Sequence, residues 1–370
     1  MTRHATDEHR LVLQAWLGTR LLFLLISFAI AAWGGTPLSR QYANWDVAHF
    51  DAIARNGYAV ANDMAFFPGL PLLMRVLMTV GIEPALGGVL LSLFGSLAAT
   101  WALVRIAGAW GAIAWLLVPT GVFTFVGYTE SLFCAAAFWA WERATKGRWG
   151  AAAVLAAGAC TLRVSGIFLI GALAILAWSQ AGRGGAKVRG RTSGTAWWTR
   201  AWAWLLVPVA VVASYATYLH SLTGSWTAWF SAQAAGWSRG FTWPWQSFLN
   251  SWASVQPGAY PEHPEWVWVF RGEMLSMAVG LIVTLICLFR RRIAEAAWVG
   301  VQVLAFSLSY WFQSVIRAIL LWFPLWILVG EAVEKRQTGW WRLFWAALAV
   351  LAVIVQVIWA QLFYNYRWAG

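Results

Sequence analysis

The chain has 370 residues, of which 61% are hydrophobic and only 11% are charged. This composition excludes an ordinary soluble domain, because apolar runs long enough to cross a bilayer recur from end to end. The net charge of +12 does not indicate nucleic-acid binding, since the basic residues fall mostly in short loops between apolar runs. Continuous apolar runs are typical of spanning helices, so we predict an all-α integral membrane protein.

The predicted spans follow one another closely along the chain. A first span covers about 11–33 and leads into a polar loop at about 34–82, in which the apolar run 66–81 is short. Further spans are predicted at about 86–104, 109–125, 131–141, 149–162, 167–179, 201–220, 273–289, 293–312, 316–329 and 341–363. A second long loop, at about 221–270, is rich in tryptophan, which is typical of membrane interfaces.

The basic loops decide the predicted topology. The positive-inside rule places inside the N-terminus, Arg105 and the loops 143–148, 183–200, 290–292 and 335–342. An odd number of crossings must then separate the loop 34–82 from Arg105, so the run 66–81 is predicted to lie in the outer interface. The result is about eleven spans with the C-terminus outside. Ten or twelve stay open, because Arg105 is a single charge.

Residues 44–71, NWDVAHFDAIARNGYAVANDMAFFPGLP, concentrate charged side chains among aromatic ones. Asn44 or Asp46 can cap a short helix that Gly57 can end, and His49 shares a helix face with Asp46. Polar residues at membrane depth usually mark a pathway or a site. The predicted topology brings four further polar features to the same outer face: GYTES at 127–131, LRVSG at 162–166, His220 with the loop after it, and 313–317.

The segment WDVAHFDAIARNGY, followed by AFFPGLP, resembles the first outer loop of the GPI mannosyltransferase II (PIG-V) family. The segments FVGYTESLF, TLRVSG and FQSVIRAILLWFP are similar to later parts of that family, although Val164-Ser165 departs from its usual order. The match covers pieces from about 44 to 324, and the first block is the most specific.

The resemblance implies a GT-C-type polytopic helical bundle that forms a single domain over residues 1–370. It also implies transfer of mannose from a polyprenyl-phosphate-mannose donor to a lipid-linked or glycan acceptor. The reaction is expected on the non-cytoplasmic side of a membrane, which we take to be a bacterial plasma membrane.

Such a transfer needs a base for the acceptor hydroxyl and a cation for the donor phosphate. Asp46 is the candidate base of an inverting displacement, and a helix cap is its structural alternative. His49 could orient Asp46, bind the sugar or the phosphate, or simply lie in the interface. Arg163 and Arg317 are candidates for the donor phosphate, because a guanidinium grips phosphate with two parallel hydrogen bonds. Their alternative is a pair with Glu130 or with backbone carbonyls.

The remaining candidates are side chains that can pack on or hydrogen-bond to a sugar. They are Tyr58, Phe66, Phe67, Tyr128, Glu130 and His220. Asp46 with His49 offers mixed ligands for a divalent cation, but no dense cluster exists, so no metal site is assigned and metal dependence stays open. No P-loop or dinucleotide fingerprint occurs, so a nucleotide sugar is not the expected donor.

Three alternatives remain beside a mannosyltransferase. The first is a GT-C enzyme that uses another polyprenyl-linked sugar. The second is a lipid or solute transporter, against which the single copy of the WDVAHF block counts, because transporters often contain repeated halves. The third is a non-catalytic subunit that keeps the fold as a scaffold.

Overall fold

The computed structural model describes residues 2–185 and 194–370. Part of the predicted basic loop 183–200, namely 186–193, therefore lies outside the described residues. Helices make up nearly all regular structure in the described part of the chain. In chain order they are α1 (Thr2–Gly34), α2 (Leu38–Tyr42), α3 (Asp46–Asn56), α4 (Gly69–Met78), α5 (Pro84–Leu116), α6 (Glu130–Thr145), α7 (Trp149–Cys160), α8 (Ser165–Gly185), α9 (Gly194–Thr223), α10 (Ala228–Trp237), α11 (Pro244–Ser254), α12 (Pro264–Phe289), α13 (Ile293–Ser307), α14 (Val315–Ala318), α15 (Phe323–Lys335) and α16 (Trp340–Tyr364).

Long apolar helices make this an integral membrane protein of the all-α class, as predicted. Five of the described helices are long and apolar enough to cross a bilayer: Asp7–Gly34 of α1, α5, Ala201–Thr223 of α9, α12 and α16. A broken helix adds a sixth, because Val315–Leu321 and Phe323–Lys335 pass the same test together and are bent by 70°. Large apolar side chains such as Phe94, Leu206 and Leu343 point outward, as expected of lipid-facing positions. The count of eleven crossings stays a prediction.

Helix α5 contains a break that reverses the chain. Gly108 has φ 73° and ψ 176°, a conformation that is essentially restricted to glycine. Before the break, Arg105 pairs with Glu142 near the end of α6 at 2.7 Å. After it, the Trp115 indole donates to the Leu320 carbonyl, which also accepts from Cys134 near the start of α6. The two parts of α5 therefore run in opposite directions, as the separate predicted spans 86–104 and 109–125 require.

Several predicted boundaries are wrong. The second part of α5 ends at Leu116 and not at 125, because Pro119 disfavours helix at the residue before it. The predicted loop 221–270 contains the helices α10 and α11, and it ends earlier than expected. Helix α12 begins at Pro264, with the proline at a position where helices tolerate it. The predicted span 273–289 is thus only the later part of a longer helix.

The short apolar run 66–81 contains α4, which has ten residues and is about 15 Å long. This is half the thickness of a bilayer core, so α4 alone does not cross a membrane. Gly69 starts the helix where a Cβ would lie 2.4 Å from the Thr161 hydroxyl, so the glycine of AFFPGLP permits close contact with the end of α7. Arg75 donates to the Ala54 carbonyl at 2.6 Å and joins α4 to α3.

Charged clusters mark the two ends of the bundle. Glu142 is buried and pairs with Arg105, Arg143 and Lys146, and Glu331 pairs with Arg290 and Arg292. Helix α6 separates Glu142 from its own first residue by about 18 Å. The start of α3, the start of α6, α14 and residues 365–370 lie together at the other end, and the site is built there.

Candidate active site

A chain of four charged side chains forms the centre of the site. Glu130, the first residue of α6, is fully buried, and its Oε1 lies 2.8 Å from Arg163 Nη1 and 2.7 Å from Arg317 Nη2. Arg317 also places Nη1 3.2 Å from Asp46 Oδ2. Sequence reasoning named all four residues, and the structure joins them in the order Asp46, Arg317, Glu130, Arg163. The pairing of both arginines with Glu130, given above as the alternative to phosphate binding, is what the structure shows.

Arg317 is held by the irregular backbone at the start of α14, the first part of the bent helix. Ser314 has φ 64°, an uncommon conformation for a residue with a Cβ. The fully buried Glu273 carboxylate accepts from the backbone N–H of Ser314 at 2.8 Å and of Ile316 at 2.9 Å. The Arg317 guanidinium also lies over the rings of Phe123 and Tyr128, with 4.9 and 4.7 Å to their centroids. These contacts fix the position of the guanidinium before any ligand binds.

Asp46 is the first residue of α3, and the predicted cap is wrong. Trp45 occupies the N-cap position with φ 52°, and no side chain there accepts from the helix N–H groups. Asn44 instead donates to the Phe363 carbonyl of α16 at 2.9 Å, and the Asp46 N–H donates to the Tyr128 hydroxyl at 3.3 Å. The Asp46 carboxylate is thus available to Arg317. Gly57 ends the helix as predicted, but its φ of 75° and ψ of −164° differ from the left-handed helical conformation that was expected of it.

Tyr128 supports this arrangement and keeps its proton. Burial, and after it the negative charge of Asp46, raises the pKa of Tyr128 well above its ordinary value. Its glycine neighbour Gly127 packs directly on Gly88 of α5, where a Cβ on Gly88 would lie 2.7 Å from the Gly127 Cα. The GYTES segment therefore combines a close helix contact with two side chains of the site.

His49 contacts Asp63 and not Asp46. Its Nδ1 lies 2.8 Å from Asp63 Oδ1, and its ring stacks on Phe66 at 4.8 Å. Trp237 of α10 lies against both rings. The sequence analysis did not assign Asp63 to the site, although its place in the charged stretch 44–71 was a signal.

The other predicted residues have different positions. Phe66 and Phe67 line the cavity beside Asp46. Tyr58 does not line it, but its hydroxyl donates to the Phe66 carbonyl at 2.7 Å. His220 does not line that cavity and stacks on Trp226 at 4.1 Å. Asp51, also in the charged stretch 44–71, lies outside that cavity and pairs with Arg55 at 2.9 Å.

Two neighbouring cavities, called lobes below, share lining residues at Asp46. The first, the arginine lobe, is lined by Phe66, Phe67, Arg163, Trp229, Gln233 and Arg239, among others. The second, the tryptophan lobe, is lined by Trp45, Tyr128, Gln313, Phe363, Trp368 and Gly370, among others. Asp46, Trp237, Ser314 and Arg317 line both lobes. The Asp46 carboxylate and the Arg317 guanidinium therefore lie where the two lobes adjoin.

Besides Asp63, two further charged residues of the site were missed by sequence reasoning. Arg239 donates to the Ser314 hydroxyl at 3.2 Å and to the Gln313 carbonyl at 3.4 Å. Burial, and then the positive charges of Arg317 and Arg163, lower the pKa of Arg239 to about 10, so it is still protonated at neutral pH. The other is Glu273. Each had a signal, because Arg239 is the one arginine or lysine of the loop 221–270 and Glu273 is a carboxylate at the start of a long apolar run.

The fold and the site define a polytopic membrane protein with a two-lobed cavity at one end of its bundle, in which a carboxylate faces a cluster of arginines. In the described part of the chain, no three His, Cys, Asp or Glu side chains lie close enough to hold a metal ion.

Curated relatives confirm the predicted family resemblance. The chain is 31% identical over 150 residues to GPI alpha-1,6-mannosyltransferase 2 of Rattus norvegicus, and 31% identical over 152 and 153 residues to the proteins of the same name from Mus musculus and Homo sapiens. The match covers 35% of this chain and spans only 30% of the length of these relatives. No family model matches the sequence, and no solved structure matches it.

Proposed function

We propose that the chain is a membrane mannosyltransferase with a single GT-C-type catalytic domain. It moves mannose from polyprenyl-phosphate-mannose to a hydroxyl group of a lipid-linked or glycan acceptor. The observation that carries this proposal is the place of Asp46 and Arg317 at the junction of two lobes, one of them lined by three arginines. The names of the curated relatives support the choice of mannose.

The arginine lobe holds the donor phosphate in this proposal. Arg163, Arg239 and Arg317 all line it. One guanidinium group can donate two parallel hydrogen bonds to two oxygens of a phosphate. Arg163 and Arg317 are already fixed by Glu130, so little rotational freedom is lost when they bind. As the sugar leaves, the phosphate gains negative charge, and these groups stabilise it where that charge develops.

Asp46 acts as the base. The acceptor oxygen attacks C1 of mannose as its proton passes to the Asp46 carboxylate. The new glycosidic bond forms while the bond from C1 to the phosphate oxygen breaks, and polyprenyl phosphate remains on the arginines. Because attack and departure occur on opposite faces of the sugar, the configuration at C1 inverts.

The site is proposed to lie on the non-cytoplasmic side of a bacterial plasma membrane. The clusters around Glu142 and Glu331 hold several basic residues, and they lie at the other end of the bundle. The positive-inside rule supports a cytoplasmic place for that end.

Purified protein in liposomes tests the proposal when it is given radiolabelled polyprenyl-phosphate-mannose and a lipid extract. We expect labelled mannose to pass to an acceptor, and Asp46→Asn to lower turnover about 10²–10⁴-fold at saturating donor. Asp51→Asn is the matched control, because Asp51 lies on the same helix and pairs with Arg55 outside the cavity. Wild-type turnover in Asp46→Asn would remove the base from this mechanism.

Polyprenyl-phosphate-glucose and a polyprenyl-linked pentose, given in parallel, test the sugar. Transfer of one of these in place of mannose would move the assignment to another enzyme of the same class. A comparison of glycolipids between a deletion strain and its parent then identifies the acceptor. Protein that transfers none of the sugars would contradict the enzyme assignment itself.

A further inference from the structure

The tryptophan lobe is closed on one side by the segment 365–370, which turns back from the end of α16. The Trp359 indole donates to the Ala369 carbonyl at 2.7 Å, and Arg317 Nη1 donates to the Gly370 carbonyl at 3.3 Å. Trp368 packs against Phe270 of α12, with 5.0 Å between the ring centroids. The segment thus forms a fixed wall within reach of Arg317.

The lining of this lobe differs in chemistry from that of its neighbour. Apart from the shared Arg317, its described lining carries no basic side chain, whereas the arginine lobe also has Arg163 and Arg239. Three indole rings face the space instead, from Trp45, Trp237 and Trp368. Among them lie a few polar groups, including the half-buried Gln313 amide and the Gly370 carbonyl. Flat apolar faces with a few placed hydrogen-bonding groups suit an uncharged polyhydroxylated ring.

The position of Asp46 indicates which substrate the tryptophan lobe would hold. If the donor phosphate lies on the arginines, the sugar carbon faces the junction of the lobes. An inverting attack must then come from the side opposite to the phosphate. The tryptophan lobe lies on that side, and Asp46 lines it as well.

We propose that the tryptophan lobe binds the pyranose ring of the acceptor, with residues 366–370 as one of its walls. This inference rests on the proposed function and adds the place and chemical class of the second substrate. The ring can belong to a glycolipid or to a free glycan, and both share the chemistry that the lobe recognises.

Cysteine protection tests the inference without any requirement for turnover. Gln313→Cys places a thiol in the tryptophan lobe and Gln233→Cys places one in the arginine lobe, while the native Cys134, Cys160 and Cys287 are all buried. We expect octyl α-mannoside or octyl α-glucoside to slow labelling of Gln313→Cys by a small thiol reagent at least fivefold, and that of Gln233→Cys less than twofold. Geranyl phosphate should give the reverse pattern.

Methyl α-mannoside and methyl α-glucoside separate the two sources of the ring. Protection by the octyl glycosides alone assigns a lipid-linked acceptor, and equal protection by the methyl glycosides assigns a free glycan. Absence of protection of Gln313→Cys by all four glycosides, or protection of both cysteines by the same ligand, would overturn the inference.

Kinetics provide the second measurement. Trp368→Ala should raise the KM for the octyl glycoside acceptor at least fivefold and change the donor KM less than twofold, and Trp368→Phe should restore part of the loss. Trp229→Ala, in the arginine lobe, should act mainly on the donor KM. Trp340→Ala, at an exposed position on α16, should change neither KM.

If the wild type transfers mannose but Trp368→Ala alters only the donor KM, this inference fails while the proposed function stands. If the wild type transfers nothing, the proposed function fails.

Discussion

Glu130 is the residue on which the other charges of the site depend. It has no exposed surface, and it accepts from two arginines that come from different parts of the chain. A buried carboxylate with such partners is costly to neutralise, because its partners then lack a counter-charge. Its role in the proposed reaction is therefore one of positioning, while Asp46 and the arginines contact the substrates.

Replacement of Glu130 by Gln should affect both stability and activity. Removal of one member of a buried ion pair costs about 3–5 kcal/mol, so thermal unfolding in detergent should occur at a clearly lower temperature. Glu142→Gln is the matched control, since Glu142 is also buried with several basic partners but lies at the other end of the bundle.

We expect Glu142→Gln to lower the unfolding temperature and leave the KM for the donor unchanged, whereas Glu130→Gln changes both. Equal kinetic effects of the two substitutions would show that Glu130 acts only through stability.

Arg317→Lys should weaken donor binding more than it lowers turnover at saturating donor. A lysine cannot reproduce the planar group that reaches Glu130 and Asp46 together. Loss of one charge-assisted hydrogen bond to phosphate corresponds to roughly 10- to 100-fold in affinity. Titration with polyprenyl phosphate measures the effect, and Arg55→Lys, at an exposed pair on α3, is the control. Unchanged affinity in Arg317→Lys would contradict a phosphate role.

At the scale of single elements, the irregular backbone at helix ends and breaks does more than the regular helices to position the side chains of the site. Glu273 accepts from two backbone N–H groups at the start of α14, those of Ser314 and Ile316, which helix geometry leaves without a partner inside the helix. The bend of 70° lies farther on, between Leu321 and Phe323. Ser314 and Trp45, both at positive φ, come shortly before Arg317 and Asp46. Unusual backbone conformations persist only where surrounding contacts hold them in place, and they are often found at functional sites.

The break at Gly108 gives a prediction for stability. A Cβ at this position would meet nothing within 4 Å, so Gly108→Ala tests the backbone conformation alone. We expect a loss of about 1–3 kcal/mol, because alanine disfavours this φ and ψ. Gly171→Ala, in α8 and also without neighbours within 4 Å, should be neutral or stabilising by about 0.4–1 kcal/mol. Equal unfolding temperatures for the two variants would show that the chain does not need the reversal at Gly108.

Sequence patterns predicted the elements of the bundle but not its irregular parts. Apolar runs gave the spans, and the basic loops brought Asp46, Glu130, Arg163 and the segment 313–317 to one face. The contacts of Arg239 could not be read, because they depend on how the loop 221–270 folds onto α14. The partner of His49 was missed for a related reason. Asp63 lies in the short irregular turn at 61–65, where no helical or strand periodicity predicts the direction of a side chain.

At the scale of the whole molecule, the proposed topology predicts different access to two exposed positions. Gly224 follows α9 in the loop toward the site, and Lys146 belongs to the basic cluster around Glu142. In intact cells, a membrane-impermeant maleimide should label Gly224→Cys and should label Lys146→Cys only after the membrane is opened. The three native cysteines are buried, so they provide a low background. Equal labelling of both positions in intact cells would end this topology.

The four paired charged side chains from Asp46 to Arg163 are synthesised at different times. Arg163 follows Glu130 after 33 residues, and Arg317 follows Arg163 only after another 154. At a synthesis rate of 5–20 residues per second, the interval between the two arginines takes roughly 8–30 s. During that time Arg163 is the counter-charge that lets Glu130 remain in the apolar bundle. The pair of Asp46 and Arg317, which the proposed reaction requires, forms only after α14 has been synthesised, so the proposed activity cannot begin before that point.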